Sequence, residues 1–96
     1  MAVVVLLTLA PAEGQFSIVK SAMKKTLPDT RAYAGCLGVW ACVDERANEV
    51  LVYQRWLDLE SQQAYIAWRR ERGDLDRMAP LLAAPPRFET REDLFA

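Results

Sequence analysis

Residues 36–56 read CLGVWACVDERANEVLVYQRW. Two runs rich in β-branched and aromatic residues, Cys36 to Val43 and Glu49 to Trp56, flank the polar stretch DERAN, which is the pattern of a β-hairpin. Side chains alternate along a strand. In the first run Leu37, Val39, Ala41 and Val43 therefore point one way, and Cys36, Gly38, Trp40 and Cys42 the other. In the second, Leu51 and Tyr53 oppose Val50, Val52 and Trp56. Both faces are apolar, whereas a sheet with one wet face alternates apolar with polar residues. Each face of this hairpin needs a cover.

The flanking sequence supplies one cover. Residues 2–10, AVVVLLTLA, form a short apolar run bounded by Pro11 and read as a first strand. Phe16, Val19, Met23 and Leu27 recur at helical spacing, which predicts a helix from Ala12 to Leu27 stopped by Pro28. Asp58 is placed to cap a second helix that runs to Glu71 or Arg72 and ends at Gly73. LDRMAPLLAAPP, residues 75–86, predicts a short helix and a proline-rich loop, and a fourth strand covers about Arg87–Glu89 with extension toward Phe95. The order βαββαβ over a single domain, residues 1–96, predicts an α+β, ferredoxin-like antiparallel sheet with both helices on one face. The second apolar face is left bare. Its simplest cover is the same sheet of a second subunit, which predicts a homodimer. A hydrophobic content of 52% in a chain this short agrees with that expectation.

Charge and composition narrow the partners. Twelve basic residues stand against 13 acidic ones, a net charge of −1. Lys24-Lys25 and Arg69-Arg70 are isolated pairs that read as solvated helix positions. A nucleic-acid partner calls for a basic stripe, and there is none. The N-terminal apolar run lacks a basic leader and falls short of the roughly 20 residues that span a bilayer, so it reads as a strand of a cytoplasmic protein without a membrane partner. Cys36 and Cys42 in one strand lie about 20 Å apart, beyond the roughly 7 Å that a disulfide allows. With no histidine and two cysteines, a zinc site lacks ligands, and no metal is expected.

The candidate site residues come from YIAWRR, residues 65–70, and its surroundings. On an ideal helix Leu57, Ser61, Ala64, Tyr65, Trp68, Arg72 and Leu75 share one stripe. One reading is a core helix whose tyrosine hydroxyl and indole N–H find partners. The other is an aromatic wall of Tyr65 and Trp68 with Arg72 as a fixed charge for a phenolate or carboxylate, in a pocket between helix and sheet. Ser61, Ala64, Gly38 and the cysteines would leave room beside those rings.

The stretch TRAYAGCLGVWACVDERANEVLVYQRWLDLESQQAYIAWRRERG resembles the antibiotic biosynthesis monooxygenase family, whose members are dimeric α+β barrels of ferredoxin-like subunits. The resemblance extends from strand one to strand four. Its more specific parts are Gly35-Cys36 before strand two, Tyr53 to Trp56 at the end of strand three, and the helix that follows. It implies cofactor-free oxygenation of a small electron-rich aromatic such as a quinol, phenol or anthrone. The substrate anion gives an electron to O₂ and the radical pair combines. Where many members carry a histidine on the second helix, this chain has Tyr65. The roles that follow are Tyr65 and Arg72 as catalytic residues, for orientation and anion stabilisation, and Trp68 and Trp40 as aromatic walls. Tyr53, Arg55 and Trp56 are second-rank substrate contacts. Haem-degrading relatives use a strand-one asparagine where this chain has Val5, so no haem is expected. A non-catalytic dimeric barrel binding a hydrophobic ligand, and an isomerase or cyclase handling an enolate at Tyr65 and Arg72, stand beside the oxygenase reading.

Overall fold

The computed structural model describes residues 1–95. The strands are β1 (Val3–Leu9), β2 (Cys36–Asp44), β3 (Glu49–Trp56) and β4 (Arg87–Glu92). The helices are α1 (Phe16–Ala32), α2 (Leu59–Glu71) and α3 (Asp74–Met78), the last running into a 3₁₀ turn, Ala79–Leu81. The strands form one antiparallel sheet in the order β2-β3-β1-β4, the ferredoxin-like arrangement.

Alternation sorts the strands as the sequence suggests. Val3, Val5 and Leu9 of β1 and Val50, Val52, Gln54 and Trp56 of β3 are buried beneath the helices. Val5, Val52 and Trp56 are completely inaccessible, and burial of each such side chain stabilises the fold by roughly 1.5–3 kcal/mol. Leu51, Tyr53 and Trp40 stand on the opposite face, each more than a third exposed. Cys36 departs from the expected parity. A register shift between Cys36 and Gly38 turns Cys36 to the helix side, where it pairs with Trp56 and packs against the core. Burial pushes its thiol above the ordinary cysteine pKa. Cys42 is exposed, and both thiols are free.

Two helix boundaries differ from expectation. Ala12–Gln15 is a turn closed by the Gln15 N–H on the Ala12 carbonyl at 2.9 Å, so α1 begins at Phe16. At its other end α1 runs through Pro28 to Ala32. Proline removes one ladder bond, to the Lys24 carbonyl, and both Lys24 and Pro28 face water there. The last turn is held instead by tertiary contacts of the buried Thr30. Asp58 caps α2 as expected, its carboxylate accepting from the Ser61 N–H at 2.7 Å, and Gly73 ends it with φ of 80°. Gly35, at φ 90°, lies so close to α2 that a Cβ there would come within 2.5 Å of the Ser61 side chain. Past the 3₁₀ turn the chain doubles back on the end of β1. The Ala12 N–H donates to the Leu81 carbonyl at 2.8 Å and the Ala83 N–H to the Ala10 carbonyl at 2.7 Å.

Candidate functional site

That tethered segment roofs a cavity of about 400 Å³ between α1, α2 and the helix-side face of the sheet. Leu7, Met23, Leu27, Met78, Leu81 and Phe88 supply apolar walls. Thr30, Gln54, Tyr65 and Arg69 also line it, and each is more than nine-tenths buried. A mostly apolar volume with a few convergent polar groups is the usual form of a small-molecule site.

The polar groups form a connected knot. The Tyr65 hydroxyl lies 2.6 Å from Thr30 Oγ1, within hydrogen-bond distance. Arg69 donates to both oxygens, from Nε to Tyr65 at 2.8 Å and from Nη2 to Thr30 at 3.3 Å. The same Nη2 donates to the Thr26 carbonyl at 2.9 Å, and Nη1 to Asp74 Oδ2 at 2.9 Å. Burial works against the charge of Arg69, yet its bonds with Tyr65 and Asp74 outweigh this and raise its pKa above the ordinary guanidinium value. Asp74 takes three arginines, since Arg72 Nε lies 3.3 Å away and Arg77 Nη2 is bonded to its other oxygen. Burial alone would raise the Asp74 carboxyl, but bonds from Arg69 and Arg77 bring it below the ordinary carboxylate value. On the sheet, Gln54 Oε1 accepts from Trp56 Nε1 at 2.9 Å, and the same side chain lines the cavity.

The candidate residues from the sequence separate into three places. Tyr65 reaches the cavity. Trp56 is buried in the core beside it, ring centroids 5.1 Å apart. Trp68 and Arg72 do not line the cavity; they stack on each other outside it, the guanidinium 4.7 Å from the ring centroid, with Arg69 also 4.9 Å from that ring. The inward stripe of α2 is Gln62, Tyr65, Ile66 and Arg69, rotated from the expected one, and Ala64 and Arg72 are exposed. Trp40, Tyr53 and Arg55 lie on the other face of the sheet: Trp40 and Tyr53 pair at 5.4 Å, and Arg55 bonds Asp93 at 2.7 Å. Gly38 makes no free space. A Cβ there would come within 2.6 Å of the Trp40 ring.

Four site residues were not singled out from sequence: Thr30, Gln54, Arg69 and Asp74. Two had a signal. Gln54 is the polar residue in the buried phase of Val50, Val52 and Trp56, and Arg69 falls one helical turn after Tyr65. Among the described residues no group of three histidine, cysteine or carboxylate side chains is placed to hold a metal ion. No helix among them is long and apolar enough to cross a membrane.

No family model and no curated protein matches the chain. Its fold is matched by solved structures. A Nitrosomonas europaea protein of unknown function is 22% identical with a TM-score of 0.85, over 99% of this chain and 91% of that one. A Deinococcus radiodurans structure, described as a candidate antibiotic biosynthesis monooxygenase, is 17% identical with a TM-score of 0.82, over 95% and 91%. One from Chloroflexus aurantiacus with the same description is 15% identical with a TM-score of 0.78, over 98% and 94%. The chain has the fold of these proteins.

Proposed function

We propose that the protein is a cofactor-independent monooxygenase-like enzyme that binds a small, electron-rich aromatic, of the quinol, phenol or anthrone kind, in the cavity beside Tyr65. The observation that carries the reading is the cavity: an apolar volume of about 400 Å³ ending at four buried polar residues, on a fold shared with candidate antibiotic biosynthesis monooxygenases. Taking anthrone as the example, loss of a ring-CH₂ proton gives the anion, which transfers one electron to O₂. The radical and superoxide combine as a peroxide at that carbon. Loss of water then leaves a carbonyl, so anthrone and O₂ become anthraquinone and water. Tyr65 orients the substrate oxygen, and Arg69 holds Tyr65. Asp74, clamped by three arginines and held below its ordinary pKa, is a weak base, so the substrate must be acidic enough to ionise readily. That same observation favours a second reading, a non-catalytic binder of such molecules. Oxygen uptake separates them. One O₂ consumed per anthrone converted, above the rate without protein and slowed in Tyr65→Phe, supports the enzyme; saturable binding without added uptake supports the binder.

The exposed sheet face belongs to the same proposal. Trp40, Leu51 and Tyr53 leave an apolar strip on it, and pairing with the same strip of a second copy covers it in a two-fold homodimer. Light scattering at micromolar concentration should give about twice the 10.9 kDa chain mass.

A further inference from the structure

We infer that Arg77, at the mouth of the cavity, receives a carboxylate carried by the aromatic guest, so that the preferred substrate is an aromatic acid whose rings lie between Tyr65 and Arg77. The inference names a substituent of the substrate at the proposed site and rests on that reading.

The cavity has two unlike ends. Thr30, Gln54, Tyr65 and Arg69 line it from buried positions, whereas Arg77, Ala79, Pro86 and Phe88 line it from exposed ones and so mark its mouth. Arg77 is the charged residue among those four, its side chain 66% exposed. Two observations fit it to an anion. The first is its donors. Nη2 donates to the Arg72 carbonyl at 2.9 Å and to Asp74 Oδ1, while Nε and Nη1 have no hydrogen-bond partner among the described residues. The second is charge. Asp74 is one carboxylate set against three guanidinium groups, those of Arg69, Arg72 and Arg77, so this cluster keeps a net positive charge. Glu71 and Asp76, the other carboxylates of this stretch, are exposed and share none of these ion pairs. An anion at the mouth is therefore attracted.

The same contrast sets the guest's direction. A carboxylate at the buried end would lose its water, and Arg69 there is already engaged by Tyr65, Thr30, Asp74 and the Thr26 carbonyl. At the mouth it keeps part of its hydration and still meets the unbalanced charge. The rings then lie along the apolar wall, with the oxygen that Tyr65 orients at the other end.

Anthraquinone-2-carboxylate and anthraquinone-2-carboxamide test the inference by calorimetry at neutral pH, since the two differ in charge and hardly in shape. At about 0.01 M salt we expect the carboxylate to bind about fivefold more tightly, and the two to converge near 1 M salt. In Arg77→Gln the ratio of the two affinities should fall toward one. That ratio is taken within a single protein, so a looser roof weakens both probes and cancels. If the variant does not fold, the Arg77 Nε resonance of the unaltered protein decides: the carboxylate should shift it and the carboxamide should not. Equal affinities at low salt, a preference unchanged in Arg77→Gln, or an Arg77 Nε resonance that ignores the charge would overturn the inference and leave the small-molecule site standing. Saturable binding of neither probe would remove both.

Discussion

Strand β3 carries two surfaces of different character in alternate residues. Val50, Val52, Gln54 and Trp56 lie under the helices, whereas Leu51, Tyr53 and Arg55 face the other way. The covered face is apolar with one polar exception, Gln54, and that exception belongs to the cavity. The open face is mixed. Its β4 edge carries charged side chains, Arg87, Glu89 and Arg91, while Trp40, Leu51 and Tyr53 leave an apolar strip exposed to water. We propose a ligand for the buried amide on one face and a second copy of the chain for the exposed rings on the other.

The difference can be broken by substitution, beginning with the largest effect. Trp56→Ala empties a fully buried position and should cost about 3–5 kcal/mol in denaturant unfolding. A loss under 1 kcal/mol would mean that the covered face is not the core. Tyr65→Phe should cost about 1–3 kcal/mol, because it leaves Arg69 Nε without its acceptor inside the fold. An unchanged midpoint would show that the knot relaxes freely.

Asp74→Asn comes next, at about 1 kcal/mol once solvent screening of this partly exposed carboxylate is allowed for. Its clearer signature is in pH. Because the folded carboxyl sits below its ordinary value, its stabilisation is fully present above an unfolded pKa of about 3.9. That stabilisation is lost as pH falls further, through the folded value. The variant should therefore lose less stability on acidification across this range than the wild type does, and parallel pH profiles would remove Asp74 from the knot. The mildest change within one chain is Trp40→Ala, at about 0.5 kcal/mol, since the ring is already 54% exposed. Its main effect should be on assembly, with the scattering mass moving toward 10.9 kDa. A mass equal to that of the wild type would count against the open face as the dimer contact.

The βαββαβ order was legible because each element carried its own local signal. Runs rich in β-branched and aromatic residues around the polar DERAN marked β2 and β3, and Asp58 and Gly73 marked the ends of α2. Pro28 misled because a local rule stops the helix there, while Thr30, docked on Tyr65 and Arg69, carries it on to Ala32. The site was half legible. Tyr65 could be read from its aromatic neighbours, whereas the one signal at Arg69, its place a helical turn after Tyr65, was outweighed because a charged residue beside Arg70 looks solvated until its partners are known. Those partners, Thr26, Thr30 and Asp74, come from two other helices, and periodicity within one helix carries no trace of them. The bulge at Cys36 was hidden for a similar reason, as it depends on pairing with β3.

The most direct test of the proposed cavity is a titration with anthrone under argon, followed by amide and side-chain N–H resonances. Without oxygen the ligand is not consumed. We expect saturable shifts at the Gln54 side-chain amide, Arg69 Nε and the backbone N–H groups of Thr30 and Tyr65, with little change at Trp40 and Tyr53. Shifts confined to Trp40, Tyr53 and their neighbours would place the ligand on the open sheet face and contradict the account.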